Sequence, residues 1–222
     1  MELIEAMRTR KSIRGYKPEP VPMEILKKVL ETATHSPSAM NTQPWEVTVL
    51  TGETLDKVRR ANIEMLRSGA EPWRRISYQG VHRKRQVDLA VQIFKLMGIA
   101  REDKEKRAQW MERGFRFFDA PAAIILSVDS SVPEWLALLD IGAFCQSICL
   151  AALEYGLGTC IEDQGTMFPD VLRRFTGIPE SKNTVISIAI GYPDWYFPAN
   201  KLETDREPVD SITTWCGFDS NG

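Results

Sequence analysis

The chain has 222 residues, 43% hydrophobic and 26% charged, with a formal net charge of −2. That length buries a sizeable core in one domain, with two small domains as the alternative. Interspersed, nearly balanced charge excludes the basic surplus of a nucleic-acid binder and a polybasic membrane arm.

The chain opens on Met1-Glu2-Leu3-Ile4-Glu5, which lacks a signal-peptide pattern. Leu3, Ile4 and Met7 fall on one face of a short amphipathic helix. Where that helix should run out stands Thr9-Arg10-Lys11-Ser12-Ile13-Arg14-Gly15-Tyr16. Arginine offers a planar fork of donors that matches phosphate oxygens, serine adds a short donor, and Gly15 permits a close turn. A compact dianionic phosphate suits this grouping; a solvated basic helix end, set against the negative pole of the macrodipole, is the alternative. A proline-rich connector follows, and Pro22 opens a helix with an apolar stripe of Met23, Leu26, Val29, Leu30 and Ala33. It should end near His35, because Pro37 disfavours helix at Ser36. Ser36-Pro37-Ser38-Ala39-Met40-Asn41-Thr42-Gln43-Pro44-Trp45 is a loop by composition, pinned by two prolines. Its amides carry the donors and acceptors that a heteroaromatic ring edge requires. An ordinary helix-to-strand loop with a core tryptophan is the other reading. Val47 to Leu50 reads as a buried strand.

The basic stretch and this loop, in this order, resemble the paired signature of the FMN-dependent nitroreductase family, and within it the nitroaryl (nitrobenzoate-type) reductases. The resemblance implies an α+β fold, a central, mainly antiparallel sheet flanked by helices. It further implies an interleaved homodimer with an exchanged C-terminal arm and an FMN at each interface. Arg10, Lys11, Ser12 and Arg14 would hold phosphate and ribityl from one subunit. Pro37, Ser38, Ala39 and Asn41 would come from the other.

Residues 53–65 form a further amphipathic helix, with Leu55, Val58 and Met65 as core candidates. Residues 67–118 change character: a loop with Trp73, Arg74, Arg75 and Tyr78, then charged helices over 81–97 and 101–113 joined at Gly98. Val87, Val91, Phe94 and Met97 form the apolar side of the first. This excursion is too long for a connecting loop and reads as a lid or as a solvated helical hairpin. As a lid it places Tyr78, Arg74 and Arg75 against an aromatic acceptor. Ala122 to Val128 is a short apolar strand, and the run around it, Ala120 to Val128, is too short to span a bilayer. Pro133 opens a long apolar helix to Tyr155, with Trp135, Leu139, Gly142, Cys145, Cys149 and Leu153 at three- and four-residue steps, placed in the core or at a subunit interface. Its two cysteines read as buried small hydrophobes, and His35 and His82 alone give no zinc spacing, so no metal is expected. Gly156 stops the helix before a short strand. Val171, Leu172 and Phe175 mark a helix closed by Gly177, and Val185 to Ile190 is the most strand-like run in the chain.

By resemblance, the segment after Gly156 runs beneath the flavin, with the backbone N–H of Gln164 or Gly165 as the donor to flavin N5. Arg116, and after it Arg113, would stand near the flavin pyrimidine, and Arg206 would return to the phosphate. Residues 1–222 thus form one FMN-binding domain, with 67–118 as lid and 194–222 as the dimer arm. With no Ser-His-Asp set or close carboxylate pair, a flavin would carry the chemistry and no protein residue is assigned as catalytic. The expected protein is cytoplasmic, with reduced thiols and no membrane or nucleic-acid partner. Its expected activity is reduction of nitroaromatic acceptors with NAD(P)H, with quinones as a further acceptor class. Another reductase or dehalogenase on this fold, or a non-catalytic flavin or small-molecule binding protein, are the alternatives.

Overall fold

The computed structural model describes residues 2–74 and 76–217. In chain order these form α1 (Leu3–Thr9), α2 (Met23–Ala33), β1 (Trp45–Thr51), α3 (Gly52–Arg67), α4 (Gly80–Leu96), α5 (Lys104–Phe115) and β2 (Ala122–Asp129). There follow α6 (Glu134–Glu154), β3 (Gly158–Glu162), α7 (Pro169–Thr176), β4 (Lys182–Gly191) and α8 (Val209–Ile212). The strands make one sheet in the order β1-β2-β4-β3, antiparallel throughout.

The sheet is covered on both faces, and the period of two in β2 and β4 explains how. Ile124, Leu126, Ile188 and Ile190 point to the side where α2 and α6 pack. Ala123, Ile125 and Ala189 point to the opposite side, against Leu55 and Val58 of α3 and Leu172 of α7. β2 is therefore buried along nearly its whole length, as its unbroken apolar run requires. Gly177 adopts φ 73° and closes α7, the left-handed stop that glycine tolerates.

Two apolar faces stay largely exposed among the described residues. α6 buries Ala137, Ile141, Phe144, Ile148 and Ala152, but Trp135 is 71% and Leu139 66% exposed. The expected single stripe of α6 is thus divided: Cys145 and Cys149 belong to the core, while Trp135, Leu139 and Gly142 face outward. α1 buries only Ala6, leaving Leu3, Ile4 and Met7 exposed. α6 is also long and apolar enough to cross a membrane, which the β2 run is not. Its inner face is core, and it buries Asp140, which is how a central helix of a globular domain behaves.

The helical excursion falls where the sequence places it, but its packing differs. α4 buries Ile93 rather than Val87 and Val91, which line an open groove between α4 and α5 with Phe94 and Met111. Met65 lies at the solvent end of α3 instead of in the core.

Trp45 and Phe144 stack with centroids 4.6 Å apart and planes 2° from parallel, joining β1 to α6. Phe144 is fully buried. Phe144→Ala is expected to lower unfolding free energy by about 3–5 kcal/mol in urea titration; a loss below about 1 kcal/mol would show that this joint does not hold the layer.

Candidate functional site

α1 ends at Arg10, whose ψ of 127° turns the chain out of the helix. The backbone then runs beside β3: Ser12 bridges Thr159, and the Ile13 N–H donates to the Thr159 carbonyl at 2.9 Å. Tyr16 anchors the far end, its hydroxyl donating toward the carbonyls of Ile13 (2.8 Å) and Ala189 (3.2 Å). Burial pushes that phenol well above its ordinary pKa, so it remains protonated.

The C-terminal arm closes onto the same stretch through Asn200, which is 1% exposed. Its Oδ1 accepts the N–H of Arg14 at 2.7 Å and of Gly15 at 3.2 Å. Its Nδ2 donates to the carbonyls of Gly15 at 2.7 Å and Asp194 at 2.8 Å. Gly15 is required here by space: a Cβ would sit 2.1 Å from the Phe197 ring. Beyond Asn200 the arm passes α1, where Glu203 pairs with Lys11.

This path creates a cavity of about 590 Å³ whose lining includes Arg8, Arg10, Lys11 and Arg206, with Trp195 and Leu202. Among the described residues, Glu203 is the one carboxylate on that lining. Arg206 is oriented by its own loop, Nη1 donating to Thr204 Oγ1 at 2.7 Å. The structure thus unites Arg10, Lys11 and Arg206, and adds Arg8, whose place on the helix gave no sequence signal beyond its charge. Ser12 and Arg14 do not line this cavity. Ser12 faces the Cys160 thiol, which burial pushes up to about 11. The Arg14 guanidinium lies 5.9 Å from the Phe118 ring centre.

Arg113 reaches the basic stretch directly, Nη2 donating to the Arg14 carbonyl at 3.0 Å and Nη1 to Asp119 at 2.8 Å. Arg116 is joined to it only through Asp119, at 2.7 Å, and pairs with Glu112 on the side facing α3. Of the two arginines, Arg113 is the one tied directly to the basic stretch. Asp119 holds them from a strained turn, since Phe117, Phe118 and Asp119 have φ of 55°, 51° and 59°.

The loop after α2 is strained too: Met40, Asn41 and Gln43 have φ of 51°, 57° and 46°. It is held by the buried Asp140 of α6, which accepts the Ala39 N–H at 3.1 Å, and by Ser38 Oγ, which accepts the Gln43 N–H at 3.0 Å. Ser36 Oγ donates to Ser147 Oγ at 2.6 Å. Pro37 and Asn41 are exposed, Ser38 and Ala39 half-buried, and none of the four lines the cationic cavity.

After β3 the chain turns inward. The Gly165 N–H donates to Glu162 Oε2 at 2.8 Å, and the Gln164 N–H addresses the same carboxyl. The Gly165 N–H, one of the two expected flavin donors, is thus engaged within its own turn. The Gln164 side chain packs on Gly114 and donates to the Met111 carbonyl at 3.3 Å.

Of the expected substrate contacts, Arg75 lies outside the described residues. Arg74 is used internally, 3.8 Å from the Trp73 ring centre and donating to the Val185 carbonyl at 3.4 Å. Trp73 Nε1 donates to the Thr166 carbonyl at 2.9 Å. Tyr78 is half-exposed. Neither Arg74 nor Tyr78 lines the cationic cavity.

The Nitroreductase family model matches residues 7–192. The chain is 33% identical over 217 residues to the chloronitrobenzene nitroreductase of Comamonas testosteroni, covering 95% of each. The nitrobenzene nitroreductase of Ectopseudomonas oleovorans matches at the same identity and coverage. The FMN and NADPH-dependent nitroreductase NfnB from a Sphigopyxis strain superposes with a TM-score of 0.91 at 29% identity, covering 98% of this chain and all of the other.

Asn200 uses both ends of its amide. Asn200→Asp should therefore damage the protein as much as Asn200→Ala, because a carboxylate cannot donate to Gly15 and Asp194. Each buried group left unsatisfied costs about 1–3 kcal/mol. Thermal melts of the two variants are expected to fall together, and near-normal stability in Asn200→Asp would contradict this geometry.

Proposed function

The chain belongs to the nitroreductase family, and on that premise we propose that it binds FMN and reduces nitroaromatic compounds with NAD(P)H. The observation that carries this reading is the cavity in which Arg8, Arg10, Lys11 and Arg206, from opposite ends of the chain, face a single carboxylate. Such a surplus of charge-assisted donors fits an organic phosphate.

Arg10, Lys11 and Arg206, with Arg8, would hold the phosphate. Ser12 and Arg14, next along the extended stretch, would address the ribityl chain. Pro37, Ser38, Ala39 and Asn41 would reach the flavin from the partner subunit. Arg113, with Arg116 behind it through Asp119, would supply positive charge to the pyrimidine edge. When bound, FMN would supply the hydride chemistry between NAD(P)H and the nitro group. The chain's own residues bind, orient and exclude water, and none is assigned as a general acid. Tyr78, half-exposed ahead of α4, remains the lid residue proposed to meet the aromatic acceptor. Because donor and acceptor use one site in turn, ping-pong kinetics are expected.

A homodimer accounts for the outward apolar faces of α1 and α6 and for exposed Val209 and Ile212 on α8. The arm is held to its own chain as far as Glu207, which pairs with Arg85, so an exchanged portion would begin after it. The four free cysteines fit a reducing compartment, and we place the protein in the cytoplasm.

The purified protein is expected to be yellow and to release FMN on denaturation. Arg206→Ala should weaken FMN binding by about tenfold or more in fluorescence titration, as loss of a charge-assisted contact of about 1.5–3 kcal/mol requires. Unchanged affinity would remove Arg206 from the site, and a colourless protein with no affinity for FMN would overturn the reading. Sedimentation should give a dimer at micromolar concentration; a stable FMN-loaded monomer would contradict the shared site.

A further inference from the structure

The turn after β3 is built around one acid. Glu162 is 7% exposed. Its Oε2 accepts the Gly165 N–H at 2.8 Å, and its Oε1 meets Ser187 Oγ. Ser187 stands opposite Glu162 in the β3–β4 register, and its Oγ also lies 2.8 Å from the Glu162 main-chain carbonyl. A serine hydroxyl has one proton to give, and a carbonyl oxygen has none. If that proton went to Oε1, lone pairs of the hydroxyl and the carbonyl would face each other. Given instead to the carbonyl, it leaves Ser187 Oγ as an acceptor, and Oε1 must then bring the proton.

We infer that Glu162 is a neutral carboxylic acid, that in this form it positions the Asp163–Thr166 turn, which the family resemblance places beneath the flavin, and that its ionisation loosens that turn. The inference about position rests on the flavin reading above; the protonation state does not.

The surroundings favour the neutral form. A Cβ on Gly165 would lie 2.7 Å from Glu162 Oε1 and 2.1 Å from the buried Phe117 ring, so this side of the carboxyl is closed. Asn62 of α3 donates to the Gly165 carbonyl at 3.4 Å, and so braces the turn from behind. Burial is the main cause that pushes the Glu162 carboxyl up to about 8, with the Asp163 charge adding to it, against the hydrogen bond from the Gly165 N–H that favours the anion. The titratable groups around it are Asp163 on its own turn, Cys160 on β3 and Tyr16 on the basic stretch. The nearby cations are committed elsewhere, Arg14 acting on Tyr16 and Cys160, and Arg113 on Asp119. No Lys or Arg pairs with Glu162 among the described residues. An ionised Glu162 would draw in water and part the turn from β4.

The decisive variant is Glu162→Gln, which keeps a neutral donor and acceptor in the same volume; Glu162→Ala removes both. Three readouts separate the parts of the inference. Infrared spectra of wild type should contain a protonated-carboxyl C=O band that Glu162→Gln lacks and that disappears as pH rises through about 8. Melting temperatures should diverge with pH. The folded pKa lies above the unfolded one, so the stability of the protonated form is complete below about 4.5 and lost as pH rises through about 8. Glu162→Gln should therefore gain on wild type from about pH 5 to 8 and hold a constant lead above that. FMN affinity, read by flavin fluorescence, should be equal within about twofold at pH 6, fall about fivefold or more in wild type by pH 9.5, and stay level in Glu162→Gln. Glu162→Ala should bind FMN weakly at every pH. Absence of the infrared band, or parallel melting curves, would overturn the protonation state even in a protein that bound no flavin. A band and diverging melts with identical FMN profiles would overturn the positioning role alone.

Discussion

One side-chain amide joins the two ends of this chain. Asn200 satisfies two backbone donors and one carbonyl of the basic stretch, and a second carbonyl at the root of its own arm. Buried backbone groups require such partners, and the N–H groups of Arg14 and Gly15 find theirs in this amide. With Asn200 seated, Phe197 lies against Gly15 and the arm emerges alongside α1. Only then does Arg206 stand with Arg8, Arg10 and Lys11. The cationic cavity is a consequence of this clamp rather than of the cations themselves, which left alone would separate by mutual repulsion.

Strain gathers where the elements hand over to the site. Left-handed backbone at non-glycine residues costs of order 1–3 kcal/mol per position. The fold offsets it locally: Asp140 and Ser38 grip the loop after α2, and Asp119, held by two arginines, grips the turn after α5. In each case an anion or hydroxyl placed by a helix or by the loop itself fixes a backbone that local preference would relax. Met40, nearly fully exposed at φ 51°, shows that the first loop is shaped from behind and presents its outer face.

α6 carries both halves of the architecture. Its inner face completes the core through Phe144 on Trp45, and its outer face leaves Trp135 and Leu139 in the open. A helix that is apolar around most of its circumference needs two partners, and the chain supplies one. The same helix supplies Asp140 and Ser147 to the loop of the second motif, so core packing and site geometry rest on one element.

The sequence by itself determined the elements and the family. The apolar runs of β2 and β4, the stripe of α2, the glycine stop after α7 and the two paired motifs are local patterns, because strand and helix periods are written in consecutive side chains. Tertiary structure alone decided what the polar residues do. Nothing near Asn200, Asp140 or Glu162 in the chain names their distant partners, Arg14, Ala39 and Ser187. Arg74 carries the charge of a substrate contact but is spent on Trp73 and the Val185 carbonyl. Nothing in the local sequence says that the Gly165 N–H meets the Glu162 carboxyl. A hydrophobic side chain needs only to be inside, and its period says so. A hydrogen-bonding side chain needs a particular atom at about 3 Å, and which atom arrives there is set by how the whole chain packs.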